Sequence, residues 1–165
     1  MTSANLSELF ASSKRDVFRL ETRQAYKVAG EKARLAAWKS GAPWPADTTP
    51  WQERLKLLVP RGVRMRRVHV VELPLTEYLR WEIESYTRNA SFGEEIQLIE
   101  RERVPEGVPN VDFWLFDKRT VVLMHYNDDG ELIDRELYEG DAQAYVLARD
   151  LVWRAARPLA LWRGE

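Results

Sequence analysis

Four stretches with period-two alternation follow one another after Gly93: "EIQLIER", "VDFWLF", "RTVVLMHY" and "ELIDRELY". Successive side chains on a strand point to opposite faces, so stretches of this kind are built to lie side by side in a sheet. Between the third and fourth stands "NDDG", whose Asp129-Gly130 pair suits the positive φ angles of a tight hairpin. "PEGVPN" supplies a longer turn before the second stretch, and "FDKRT" a short polar break after it. The pattern predicts one antiparallel meander of four strands over residues 95–138.

The first half alternates between helical and strand periods. Leu6, Leu9 and Phe10 recur at helical spacing behind Asn5 as a cap. In "DVFRLETRQAY" the set Phe18, Leu20, Thr22 alternates with Val17, Arg19, Glu21, Arg23, a strand with one polar face. A helix over "GEKARLAAWKSG" should stop at Gly41. The turn-rich linker 41–50 leads into a helix over 50–59, announced by Thr49 as N-cap, Pro50 at the first helical position and Gln52 in the capping box. A mixed strand, 63–71, comes next. Then Pro74 is placed in the first turn of a helix carrying Leu75, Tyr78, Leu79, Ile83 and Tyr86 on one stripe. A last helix over "DAQAYVLARDLVWRAARPL" shows the stripe Tyr145, Ala148, Leu151, Val152 and Ala155, with Pro158 as its stop. The expected fold class is α+β: a mainly antiparallel sheet packed by helices, in a single domain spanning 1–165.

Composition narrows the functional classes. The 165 residues hold no cysteine, which removes thiol catalysis, thiolate metal sites and disulfide frameworks, and fits a cytoplasmic chain. The start has no secretory pattern, and "VVLM" is among the longest apolar runs, far short of a membrane span. The net charge of -1 hides an asymmetry: 16 Lys or Arg face 10 Asp or Glu in residues 1–90, against 9 and 16 in residues 91–165. Either the halves attract one another within one fold, or one face is basic and takes an acidic partner.

No motif for phosphate cradling, zinc hydrolysis or a serine nucleophile occurs, and neither His69 nor His125 has ligands at metal-binding spacing, so no metal and no cofactor is expected. What stands out is the strand "RGVRMRRVHVV". Alternation sets Val63, Met65, Arg67, His69 and Val71 on one face and Arg64, Arg66, Val68 and Val70 on the other. An interior arginine costs several kcal/mol unless paired, so Arg67 must meet a carboxylate or open into a cleft. Glu94, Glu95, Asp112 and Asp117 are carboxylates that could face these arginines, although Asp117 also suits turn chemistry. The candidate ligand- or partner-binding residues are Arg19, Glu21, Arg23, Arg64, Arg66, Arg67, His69 and Asp117. Seven tryptophans are many for this length, and Trp38, Trp44 and Trp51 surround the linker. They either staple it to the core or wall a site for a planar ligand.

The blocks "RLETRQAY", "LTEYLRWE" and "DFWLFD", in this order within longer similar stretches, resemble the actinobacterial family called domain of unknown function 6879. The resemblance covers nearly the whole chain. It implies a regulatory setting, because such domains are typically encoded beside, or fused to, helix-turn-helix regulators. A weaker likeness links "DFWLFDKRTVVL" to the phospholipase D-like architecture. That motif, H-x-K-x-x-x-x-D, is not met: Val71 follows His69 by two residues and Asn127 follows His125. The resulting expectation is a non-enzymatic regulatory or interaction module working with a helix-turn-helix transcription regulator, without sequence-specific DNA binding or membrane association of its own. The alternatives are a small-molecule or phosphate-binding sensor and a hydrolase of phospholipase D-like architecture.

Overall fold

Seven strands form one mixed sheet in the computed structural model, which describes residues 3–163. In chain order the elements are α1 (Leu6–Ser12), β1 (Asp16–Glu21), α2 (Glu31–Lys39), α3 (Pro50–Leu58), β2 (Arg64–Val71), α4 (Glu77–Ala90), β3 (Glu95–Glu100), β4 (Asp112–Phe116), β5 (Thr120–Tyr126), β6 (Leu132–Leu137), α5 (Gln143–Ala155) and the short β7 (Arg157–Pro158). The strands lie in the order β6-β5-β4-β1-β2-β3-β7. Four of the six pairings are antiparallel and two, β1 with β2 and β2 with β3, are parallel, so the fold is α+β with a largely antiparallel sheet.

The expected four-strand meander contains only three strands, β4, β5 and β6. The first of the four, β3, pairs in parallel with β2 instead. The cause is α4, which lies between β2 and β3: a helical crossover returns the chain to the same end of the sheet, and the next strand then runs parallel. From β3 a long connection carries the chain past β2 and β1, so that β4 joins the far side of β1. The hairpin between β5 and β6 turns at Gly130, with φ 86°, where a Cβ would sit 2.9 Å from the Ala25 carbonyl oxygen.

Local signals set most helix boundaries. The Asn5 side chain accepts from the Glu8 amide, and Thr49 and Gln52 form the complete capping box of α3. Helix α4 begins later than expected. Thr76 is its N-cap and accepts from the Leu79 amide, which leaves Pro74 outside the first turn. The buried stripe of α5 is also rotated from the expected one: Val146, Ala148, Arg149 and Val152 face inward, whereas Leu151 is exposed. Helix α5 covers one face of the sheet, over Phe18, Leu20, Val68, Val70, Phe113 and Leu115, with Val104 and Val108 of the connection between β3 and β4 packed beside it. The other face carries α1 and α3 over Val17, Met65 and Trp114, and α4 over Val71, Ile96 and Leu98. No helix among the described residues is long and apolar enough to cross a membrane.

Candidate functional site

The polar faces of β1 and β2 meet on the side of the sheet covered by α1, α3 and α4. In the parallel register of these strands Arg19 lies opposite Arg67, and Glu21 opposite His69. Two like charges side by side on one face repel, and burial makes the repulsion stronger, so this pairing requires carboxylates between them. The chain provides three. Arg67 donates from Nε to Glu94 Oε2 at 2.9 Å and from Nη1 to Glu21 Oε1. Arg19 donates from Nη2 to Asp112 Oδ2 at 3.2 Å and to the Tyr126 hydroxyl at 2.9 Å. Both arginines are buried and lie against aromatic rings: Arg67 is 5.3 Å from Trp51, 5.5 Å from Tyr86 and 5.9 Å from Trp114, and Arg19 is 5.2 Å from Trp114.

Asp112 is the hub of the far side. It accepts from the Thr22 amide at 2.9 Å, the Thr22 hydroxyl at 2.6 Å and the Tyr26 hydroxyl, in addition to Arg19. His69 is fully buried. Its Nε2 lies 2.7 Å from the Arg23 carbonyl, which can only accept, so Nε2 carries the proton. Nδ1 lies 2.7 Å from the Tyr86 hydroxyl, whose proton has a second acceptor in Glu21 Oε1 at 2.9 Å. Burial holds the imidazole below its ordinary value despite the neighbouring carboxylates, in keeping with the neutral ring.

Above this floor opens a cleft of about 910 Å³. Arg19, Glu21 and Arg67 line its base, and Trp51, Trp81, Trp114, Tyr78, Tyr86 and Tyr126 line its walls. The linker closes one side. Trp38 and Trp44 both donate from Nε1 to Glu84 Oε2, at 3.1 and 3.2 Å, and Arg88 lies 4.6 Å from the Trp44 ring. The first reading of the linker tryptophans holds for Trp38 and Trp44, which fasten the linker to α4, and Trp44 and Trp51 also line the cleft.

Three buried polar atoms of cleft residues have no hydrogen-bond partner: Arg19 Nη1, Trp81 Nε1 and Glu82 Oε2. Buried polar groups are nearly always satisfied, and three of the six unpartnered ones among the described residues belong to residues that line this cleft. The carboxyls around the cleft fall into two classes. Burial would raise Glu21, but the guanidinium groups of Arg67 and Arg19 outweigh it and hold the carboxyl down at about 2. Glu82 has no cation partner of its own, and burial, with Glu21 and Glu31 nearby, drives it well above the ordinary carboxylate range. Glu31, half-buried, is raised by burial to about 7 although the Tyr78 hydroxyl donates to it at 2.8 Å. Burial thus favours the protonated form of Glu82, while Arg67 favours the ionised form of Glu21.

Glu82 yields a pH prediction. A carboxyl whose folded pKa exceeds its unfolded value holds its proton in the folded state after the unfolded chain has released it, so its contribution to stability is lost as pH rises above about 4.5. Glu82→Gln mimics the protonated form and removes that loss. Melts at pH 5, 6, 7 and 8 should show the variant gaining on the natural protein as pH rises. Glu31 and His69 titrate in both proteins, so the difference reports Glu82 together with its coupling to Glu31. A gap that narrows or reverses toward pH 8 would show that Glu82 is an ionised, paired carboxylate.

Of the eight residues singled out in the sequence, Arg19, Glu21 and Arg67 line the cleft, and His69 supports it from below. The other four lie elsewhere. Arg64 is exposed and bound through Nε and Nη2 to Glu95; Arg66 faces the α5 side and pairs with Asp16. Arg23 donates to the Asp128 carbonyl, and Asp117, with φ 50° in the turn between β4 and β5, accepts from the distant amides of Lys14, Arg15 and Asp16 and so ties the start of β1 to that turn. The two strand faces separate Arg66 from Arg67, as alternation dictates. Trp81, Glu82 and Tyr126 were not singled out. The signal for Glu82 was its place on α4 one turn after Tyr78 and four residues before Tyr86, both on the apolar stripe. Glu21, His69 and Glu82 also bring possible metal ligands within 4.8 Å of one another, but the lone pair of His69 Nδ1 faces the Tyr86 hydroxyl and Glu21 is bound to Arg67.

Comparison with curated proteins finds no match. Among solved structures, one that is similar is that of TrmBL2, an archaeal chromatin protein reported to show a novel mode of DNA binding, with a TM-score of 0.45 and 10% identity. The likeness spans 92% of this chain but 49% of that one, and at this distance it says nothing of what the present chain does. The sequence comparison is decisive: the model of the family Domain of unknown function (DUF6879) matches residues 4–164, and the chain belongs to that family.

Proposed function

We propose that the protein is a small-molecule-binding module with a regulatory role. The observation that carries this reading is the 910 Å³ aromatic-walled cleft whose lining residues include three with orphaned buried polar atoms. Ligand sites are concave, mainly apolar and equipped with a few placed polar groups, and the cleft has each of these properties. A module acting only through a flat face has no need to keep Arg19 Nη1 and Glu82 Oε2 buried without partners. The hydrolase alternative has less support, since Glu21, the ionised carboxylate of the cleft, is committed to Arg67 and Tyr86. In the regulatory setting implied by the family resemblance, a helix-turn-helix partner would read the loaded state, and the isolated chain would bind duplex DNA weakly and without sequence preference.

Mass spectrometry of small molecules released by denaturing the protein, purified from its own cell, tests the reading. A stoichiometric ligand is expected, with its occupancy lost in Trp51→Ala while the fold persists. A ligand-free protein that shows no thermal shift with any member of a metabolite library, but copurifies with a regulator, would replace this reading with that of a pure interaction module.

A further inference from the structure

The cleft has a polar base, aromatic walls and a charged rim, and each narrows the ligand. Arg19 Nη1 at the base and Trp81 Nε1 in the wall are obligate donors buried without partners, so a ligand that reaches them has to present acceptor atoms. The Glu82 carboxyl adds a group that both donates and accepts when protonated. The walls, Trp51, Trp81, Trp114 and Tyr86, favour a planar, polarisable body. At the rim the lining includes Lys27, Arg34, Arg54, Arg88 and Arg135. Lys27 is paired with Glu131 at 3.7 Å and Arg34 with Asp47 at 3.7 Å. Arg54, Arg88 and Arg135 have no carboxylate partner among the described residues, while Arg54 and Arg88 are set by stacking on Phe10, at 4.2 Å, and Trp44, at 4.6 Å. Guanidinium groups fixed by stacking and free of carboxylates suit a phosphate, whereas the arginines at the base are already neutralised by Glu21, Glu94 and Asp112.

Building on the small-molecule reading, we infer that the ligand is a nucleoside phosphate, with its base between the aromatic walls above Arg19 and Glu82 and its phosphate on the cationic rim formed by Arg54, Arg88 and Arg135. A neutral sugar would leave the rim cations unused, and free phosphate would leave the walls and the orphan donors unused. The nucleobase supplies ring acceptors and a flat face, and the phosphate supplies the charge.

Calorimetric titration of the full chain with the four common ribonucleoside 5′-monophosphates, the matching nucleosides and inorganic phosphate tests this. At least one monophosphate should bind at least tenfold tighter than its nucleoside and than inorganic phosphate. The double substitution Arg54→Gln with Arg88→Gln, the first half-buried and the second exposed, should abolish the preference over the nucleoside and leave the nucleoside affinity unchanged. Equal affinity for nucleoside and nucleotide would overturn the assignment of the rim, and equal affinity for inorganic phosphate that of the walls. If no nucleotide binds but a metabolite of another class gives a thermal shift that Trp51→Ala removes, the nucleoside phosphate assignment fails while the small-molecule reading stands. If neither occurs, both fail.

Discussion

Arg67→Met is expected to destabilise the protein by about 3–5 kcal/mol, because it strands two buried carboxylates at once. Methionine has similar length and would fill the space between Trp51, Tyr86 and Trp114, so lost packing is the smaller part of the effect. The larger part is electrostatic: Glu21 and Glu94 are both buried, and both are held by the same guanidinium. At roughly 2–4 °C per kcal/mol for a chain of this size, the melting temperature should fall by about 10 °C. Removing the whole ionic unit differs from breaking it. The triple variant Arg67→Met, Glu21→Gln, Glu94→Gln should recover more than half of the loss, since desolvation of the charges disappears together with their attraction. Thermal melts of the natural protein and both variants check this. A single variant melting within about 2 °C of the natural protein would show that the cluster does not form in solution.

The second large effect is expected at Asp112. Asp112→Ala removes the acceptor shared by Arg19, the Thr22 amide and hydroxyl, and the Tyr26 hydroxyl. It leaves Arg19, 4% exposed, with the Tyr126 hydroxyl and a 3.9 Å approach to Glu21 as its compensation. The cost of a buried charge losing its partner is again about 3–5 kcal/mol. Asp112→Asn keeps a carbonyl acceptor and should lose less, although it forfeits the charge. Urea unfolding midpoints give the ranking, and amide exchange at Thr22 gives a local reading, because that N–H loses its acceptor in the alanine variant. Unchanged protection at Thr22 in Asp112→Ala would contradict the geometry. Loosening of the segment from Thr22 to Tyr26 should also weaken ligand binding, since Tyr26 lines the cleft.

Part of the charge asymmetry of the sequence is matched within the fold. Arg67 with Glu94, Arg64 with Glu95, Arg19 with Asp112 and Arg101 with Glu72 all join the two halves of the chain. The expectation that Arg67 would be buried against a carboxylate from the second half is met in Glu94, with Glu21 from the first half as an additional partner. The mixed character of β2 follows from its internal place between β1 and β3: both faces of the strand are covered, so its arginines are buried on both, Arg67 with Glu21 and Glu94, and Arg66 with Asp16.

What the sequence determined by itself was local. Period-two alternation placed the strands and divided their residues between faces, and the Thr49, Pro50 and Gln52 signal set the start of α3, because these depend on backbone geometry and neighbours within a few residues. The pairing of the strands was decided by the tertiary structure. Nothing within "EIQLIER" distinguishes a meander strand from one laid parallel to β2, since that choice depends on the path of α4 and the long connection to β4. The cleft was decided at the same level. Glu82 lies on a helix, Arg19 and Arg67 on two strands, and Trp51 on another helix, and the chemistry of each depends on what the others exclude or neutralise. Burial pushes the carboxyl up at position 82, whereas at position 21 a bound guanidinium outweighs burial and holds it down, and that difference exists only once the chain is folded.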